Sequence, residues 1–104
     1  MAANAIDWMT DGRSEPRDAV HHRTRAVHPD GRLMPMVIVD TSQSGLMARC
    51  DADCEEGDRL RIDFPRIGSV VAEVRWSLGG RIGCRLERPL GLAEYYALLA
   101  GMRR

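Results

Sequence analysis

The chain has 104 residues, with fifteen basic residues (all arginine) against fifteen carboxylates, for a formal net charge of +0. That length allows one domain with one modest core. Charge balance argues against a nucleic-acid polymer as partner, which would demand a basic excess, and the lack of an 18-residue apolar run excludes a helical membrane span.

Residues 1–12 show no periodicity and read as a flexible N-terminal arm, in which Trp8 and Met9 are the apolar exceptions. The first residues have neither a basic nor an apolar leader segment, so no signal peptide is expected and the expected location is cytoplasmic. Residues 13–104 read as a single domain. Residues 18–28 carry Val20, Thr24, Ala26 and Val27 among polar neighbours, a half-exposed strand. Pro29, Asp30 and Gly31 form a turn: Pro fixes φ, Asp bonds its own backbone and Gly accepts positive φ. Residues 33–41 hold Met36, Val37, Ile38 and Val39 and form the strongest strand, with Pro35 suggesting an edge or bulge near its start.

A turn over residues 42–45 leads to a short strand at 46–49 and an acidic loop at 51–58. Leu60, Ile62 and Phe64 alternate with polar residues, so they share one strand face. Residues 65–68 turn, 69–76 form a strand, 77–80 a tight turn, and 81–87 its partner strand. Six short strands joined by turn chemistry favour an antiparallel barrel or sandwich. Beyond Pro89 the period changes. Leu92, Tyr95, Tyr96, Leu99 and Met102 make the stripe of a C-terminal helix at about 90–102, covering one end of the sheet or, as the lesser reading, mediating a dimer. Arg103 and Arg104 suit that helix's C-terminal dipole.

Cys50, Cys54 and Cys84 lack metal or redox spacing and are expected as reduced thiols, Cys84 in the core. His21, His22 and His28 read as surface groups, and no metal or other cofactor is expected. Ser42 has no Gly-x-Ser-x-Gly context and no histidine placed to serve it, so an enzyme is not expected.

Two patterns carry the functional reading. Arg13 and Arg17 stand four apart before the first strand, where two guanidiniums can fork onto phosphate or onto the O6/N7 edge of guanine. Asp40, Ser42 and Gly45 follow the strongest strand. A carboxylate there can accept from a guanine N1–H and N2–H₂ edge, Ser42 two residues on would share its sheet face, and Gly45 would permit positive φ and close approach. The same residues can instead tie up the turn's own backbone.

Together these patterns, Arg-x-x-x-Arg and then Asp-x-Ser-x-x-Gly, resemble the PilZ domain family, over most of the chain from Arg13 to about Leu90. Val74–Trp76 and Arg81–Leu86 look like that family's final hairpin. The resemblance implies an all-β, six-stranded antiparallel barrel with an accessory helix, and a non-catalytic receptor for cyclic di-GMP, a bacterial second messenger. It implies ligand contacts for Arg13, Arg17, Asp40, Ser42 and Gly45. Gly12 stands where many members have a further basic residue, which leaves open one ligand molecule or an intercalated pair. The expected output is a change in the N-terminal arm, read by an unidentified downstream protein, from a monomer or weak dimer. The rival is an interaction module of the same fold that binds no nucleotide.

Overall fold

The computed structural model describes residues 15–102, so the arm at 1–12, Arg13, Arg103 and Arg104 lie outside the described residues. Six strands run β1 (Asp18–Val27), β2 (Leu33–Thr41), β3 (Gly45–Arg49), β4 (Arg59–Phe64), β5 (Gly68–Leu78) and β6 (Arg81–Leu86), followed by helix α1 (Leu92–Met102). Every pairing is antiparallel and the sheet closes in the order β1-β2-β3-β6-β5-β4. This is the expected six-stranded barrel with a C-terminal helix.

Alternation builds the core. Leu60, Ile62 and Phe64 of β4 point inward, as do Met34, Met36 and Ile38 of β2 and Ile82, Cys84 and Leu86 of β6. Burying side chains of this size contributes roughly 1.5–3 kcal/mol each. Turn chemistry sets the corners. Gly31 takes φ 94° in the β1–β2 turn, and Gly79 and Gly80 take 62° and 80° in a two-residue hairpin. Ser77 and Leu78 therefore belong to β5, not to the wider turn expected at 77–80. Pro35 pairs with Arg25 of β1, while pairing to β3 begins two residues later at Val37. It thus sits on a local edge of a closed sheet, where a missing N–H costs nothing.

The starts of β1, β3 and β5 and the ends of β2, β4 and β6 lie at one end of the barrel, and α1 covers that end. Gly91 opens the helix: its carbonyl accepts from Tyr95 N–H at 2.9 Å, and Glu94 Oε1 accepts from its N–H at 3.0 Å. The far end of the helix presses on the β4–β5 turn, where a Cβ on Gly101 would stand 2.7 Å from Pro65 Cβ. The buried stripe is Tyr95, Leu98, Leu99 and Met102. Leu92 and Tyr96, expected within it, are 57% and 63% exposed. Leu98, fully buried, takes the inward position in their place.

Candidate functional site

Two β-bulges aim the site. Strict alternation from buried Ile38 would turn Asp40 inward, and from buried Val74 would turn Trp76 inward. The register shifts between Ile38 and Asp40, and again between Val74 and Trp76, so Val39 and Arg75 are the extra residues. Both side chains are thereby delivered to the outer face. There the cross-strand row runs Asp40, Met47, Gly83, Trp76 over β2, β3, β6 and β5. A Cβ on Gly83 would stand 2.1 Å from Trp76 Nε1, so the indole lies on the bare glycine backbone. That Nε1 is buried without a hydrogen-bond partner among the described residues.

The β2–β3 turn is held by its own polar groups. Ser42 is 3% exposed. Its Oγ accepts from the N–H groups of Ser44 at 3.3 Å and Gly45 at 3.2 Å. Gly45 carbonyl accepts from Ser42 N–H at 2.9 Å and from Thr41 Oγ1 at 3.3 Å. Both acceptor positions of Ser42 are therefore used by backbone, and its O–H proton is what remains for a ligand. Gly45 is buried, and its φ is not among the positive values of this fold. The left-handed conformation expected there is replaced by closure of the turn. Strand geometry stops at Thr41, so Ser42 curls under the turn while Asp40 stays half-buried on the outer wall.

The segment before β1 is clamped to this turn. Ser44 Oγ donates to Glu15 Oε2 at 2.5 Å, joining positions 29 residues apart. Glu15 Oε1 is buried without a partner among the described residues. Arg17 is exposed, and its charge acts on Asp40. Burial is the larger influence on Asp40 and raises its carboxyl above the ordinary value, with Arg17 and the Thr41 backbone pulling it back and Asp18 adding repulsion. Arg17, Asp40, Ser42 and Gly45 thus gather at one barrel end, whereas Arg13 lies outside the described residues.

A family model of the PilZ domain matches residues 11–100. The chain belongs to the PilZ domain family. No curated protein matches it. PilZ domains are generally receptor domains for cyclic di-GMP and are non-catalytic. No helix among the described residues is long and apolar enough to cross a membrane.

In this PilZ domain α1 underpins the site. The Tyr95 hydroxyl carries one proton and lies 2.7 Å from Asp18 Oδ2 and 2.9 Å from Thr41 carbonyl, donating between them. Burial and then the Asp18 carboxylate hold that phenol well above its ordinary pKa, so it stays a donor. Gln43 Nε2 donates to Leu90 carbonyl at 2.9 Å, tying the turn to the chain just before the helix. Sequence reasoning missed Glu15, Tyr95 and Trp76. Glu15 sits inside the Arg-x-x-x-Arg spacing, which was the available signal. Tyr95 gave none because Asp18 and Thr41 are far along the chain, and Trp76 gave none because the bulge that turns it outward shows only in its pairing with β6.

The opposite barrel end carries one correction. His28 is not a free surface group: its side chain is 13% exposed, and its Nε2 lies 2.8 Å from Asp58 Oδ2. Nδ1 faces Asp30, 3.1 Å from its N–H and 3.0 Å from its Oδ1, so both ring nitrogens are engaged.

Proposed function

We propose that this PilZ domain is a cyclic di-GMP receptor whose output is a change in the segment preceding β1, read by a partner protein. The observation that carries the reading is the Glu15–Ser44 clamp, with Arg17 beside Asp40. It holds Glu15 and Arg17, the described end of the Arg-x-x-x-Arg segment, next to the Asp-x-Ser-x-x-Gly turn. In this reading Arg13 and Arg17 fork onto phosphate and the guanine O6/N7 edge. Asp40 accepts from the guanine N1–H and N2–H₂ edge, and Ser42 donates its remaining proton. Met47 and the Trp76 indole supply an apolar floor on which a base can stack, worth roughly 1–3 kcal/mol per base.

Calorimetric titration with cyclic di-GMP tests this. Wild-type protein should bind, and Arg17→Ala should weaken binding about ten- to a hundredfold, because a charge-assisted bidentate contact is worth on the order of 1.5–3 kcal/mol. Cyclic di-AMP should bind far more weakly, since adenine lacks the donor pair that Asp40 reads. Trypsin cleavage after Arg13 and Arg17 should slow with saturating ligand. No heat of binding would leave the rival, a PilZ-fold interaction module without nucleotide. Full occupation of the Ser42 acceptors by its own turn is the observation on that side.

A further inference from the structure

The barrel wall carries a second charged feature near the end remote from Asp40. Arg23 pairs with Val37, Val37 with Arg49, and Arg49 with Arg81, so three arginines and one valine form a row across β1, β2, β3 and β6. The three arginines are exposed and outward-facing. Among the described residues none of them makes an ion pair or hydrogen bond, while Arg32 and Arg59 each find a carboxylate. Arg49 and Arg81 stand directly opposite one another, and like charges in that position oppose strand pairing. The fold tolerates this cost with acidic residues close in sequence, yet leaves the cations unpaired.

Beside the row lies a cleft of about 490 Å³ lined by His21, Arg23, Pro35, Val37, Arg49 and Asp51 among others. Its origin is in the register. Val37–Arg49 is the first β2–β3 pair, and beyond it the chain leaves the sheet at Cys50. The β2 segment at Pro35 therefore has β1 on one side and open space on the other. The result is an apolar floor of Pro35 and Val37 between cationic walls. Arg23 and Arg49 are two strands apart, roughly 10 Å at the usual inter-strand spacing.

We propose that this cleft docks an acidic segment of a partner protein in extended conformation, with an apolar side chain facing the cleft and a carboxylate two residues to either side of it on the same face, a span of roughly 13 Å that the long arginine side chains can meet. The carboxylates engage Arg23 and the Arg49–Arg81 pair, and the apolar side chain rests on Val37 and Pro35. Charge complementarity selects the acid, and the apolar floor selects a peptide over a phosphate chain. Asp51 on the rim repels a continuous polyanion. The surface does not depend on the cyclic di-GMP reading, because the residues that carry it, Arg23, Arg49, Arg81, Val37 and Pro35, lie away from the Asp40 end, and only His21 of the lining comes near it.

The test uses the whole chain and the capped peptide Glu-Ala-Val-Ala-Glu, followed by amide chemical shifts. Shifts should concentrate at Val37, Arg49 and Arg81, weaken with added salt, and be absent with Gln-Ala-Val-Ala-Gln. Arg49→Glu should abolish them while leaving the fold and cyclic di-GMP titration as in wild type. It converts a like-charged cross-strand pair into an opposite one. Arg23→Gln with Arg81→Gln is the second variant, and should weaken the peptide about fivefold or more, the scale of exposed ion pairs. Equal shifts with the Gln peptide, or stronger ones with inorganic phosphate or a DNA duplex, would overturn the acidic-peptide assignment. A wild-type dimer lost in Arg49→Glu would also overturn it, marking the face as a contact between copies of this chain.

Discussion

At the end of the barrel where β1 begins, closure comes from α1, whose Leu98 is fully buried and whose Tyr95 hydroxyl reaches Asp18 and the Thr41 carbonyl. At the other end it comes from charge: His28 against Asp58, Asp30 against Arg32, and Arg32 onto the Asp53 carbonyl. The helical end excludes water and shifts carboxyls by desolvation. The charged end leaves its carboxyls partly in water and lowers them mainly by hydrogen bonding. Asp40 is raised by burial, whereas Asp58 is lowered mainly by the Glu55 N–H and then by His28. A receptor site benefits from the first environment, where a polar contact weighs more.

The largest effect should follow from emptying the helical end. Leu98→Ala should cost about 2–5 kcal/mol, the range for a fully buried leucine. Its denaturation midpoint should fall more than that of Asp58→Asn, where the half-buried carboxylate is replaced by an amide that keeps an acceptor oxygen, at a loss of about 0.5–1.5 kcal/mol. Equal losses would erase the contrast between the two ends.

Tyr95→Phe should come next. It keeps the ring but leaves the Thr41 carbonyl without its hydroxyl donor, at a cost of about 1–3 kcal/mol. Because Thr41 joins Asp40 to Ser42, cyclic di-GMP affinity should fall together with stability. Unchanged affinity would mean that the helix supports the barrel without supporting the turn.

The smallest effect is a difference of sign with pH. Asp58 has a folded pKa below its unfolded value, so its stabilisation is present above about pH 4 and is lost as pH falls through the folded value. Asp40 has a folded pKa above its unfolded value, so stability rises as pH falls through the folded value and the gain is complete below about pH 4. Asp40→Asn should therefore raise stability slightly at neutral pH, and Asp58→Asn should lower it. Denaturation midpoints taken from neutral to about pH 3 check this, and the same sign in both variants would refute it.

Most of the barrel was legible because its signals are local. The alternation of Leu60, Ile62 and Phe64 and the Pro29-Asp30-Gly31 turn each need only a few neighbours. The bulges at Val39 and Arg75 were not legible, since an extra residue in a strand leaves no mark on composition and reveals itself only through a partner strand. The helix phase was legible in part: Tyr95, Leu99 and Met102 are buried as the stripe requires, while Leu98 is buried in place of Leu92 and Tyr96, a choice set by what packs against the helix. At the candidate site Asp40 and Ser42 could be singled out by type and spacing. The burial of Ser42, the Glu15–Ser44 bond and the Tyr95 support depend on contacts between distant parts of the chain.

The register of the barrel also bears on how it assembles. Among the described residues β1 meets β4 at Ala26–Ile62 and Val27–Arg61, against eight pairs with β2. The hairpins β1–β2, β2–β3, β4–β5 and β5–β6 can form from local chain. The β1–β4 and β3–β6 seams each join distant parts of the chain, and such closures slow folding. The β1–β4 seam is the thinner of the two, and among the described residues the first half of β1 pairs only with β2. A molecule bridging the segment before β1 and the β2–β3 turn recognises that strand only in its docked form. Its binding energy would add to the stability of the folded barrel by mass action, and would be felt at this thin seam.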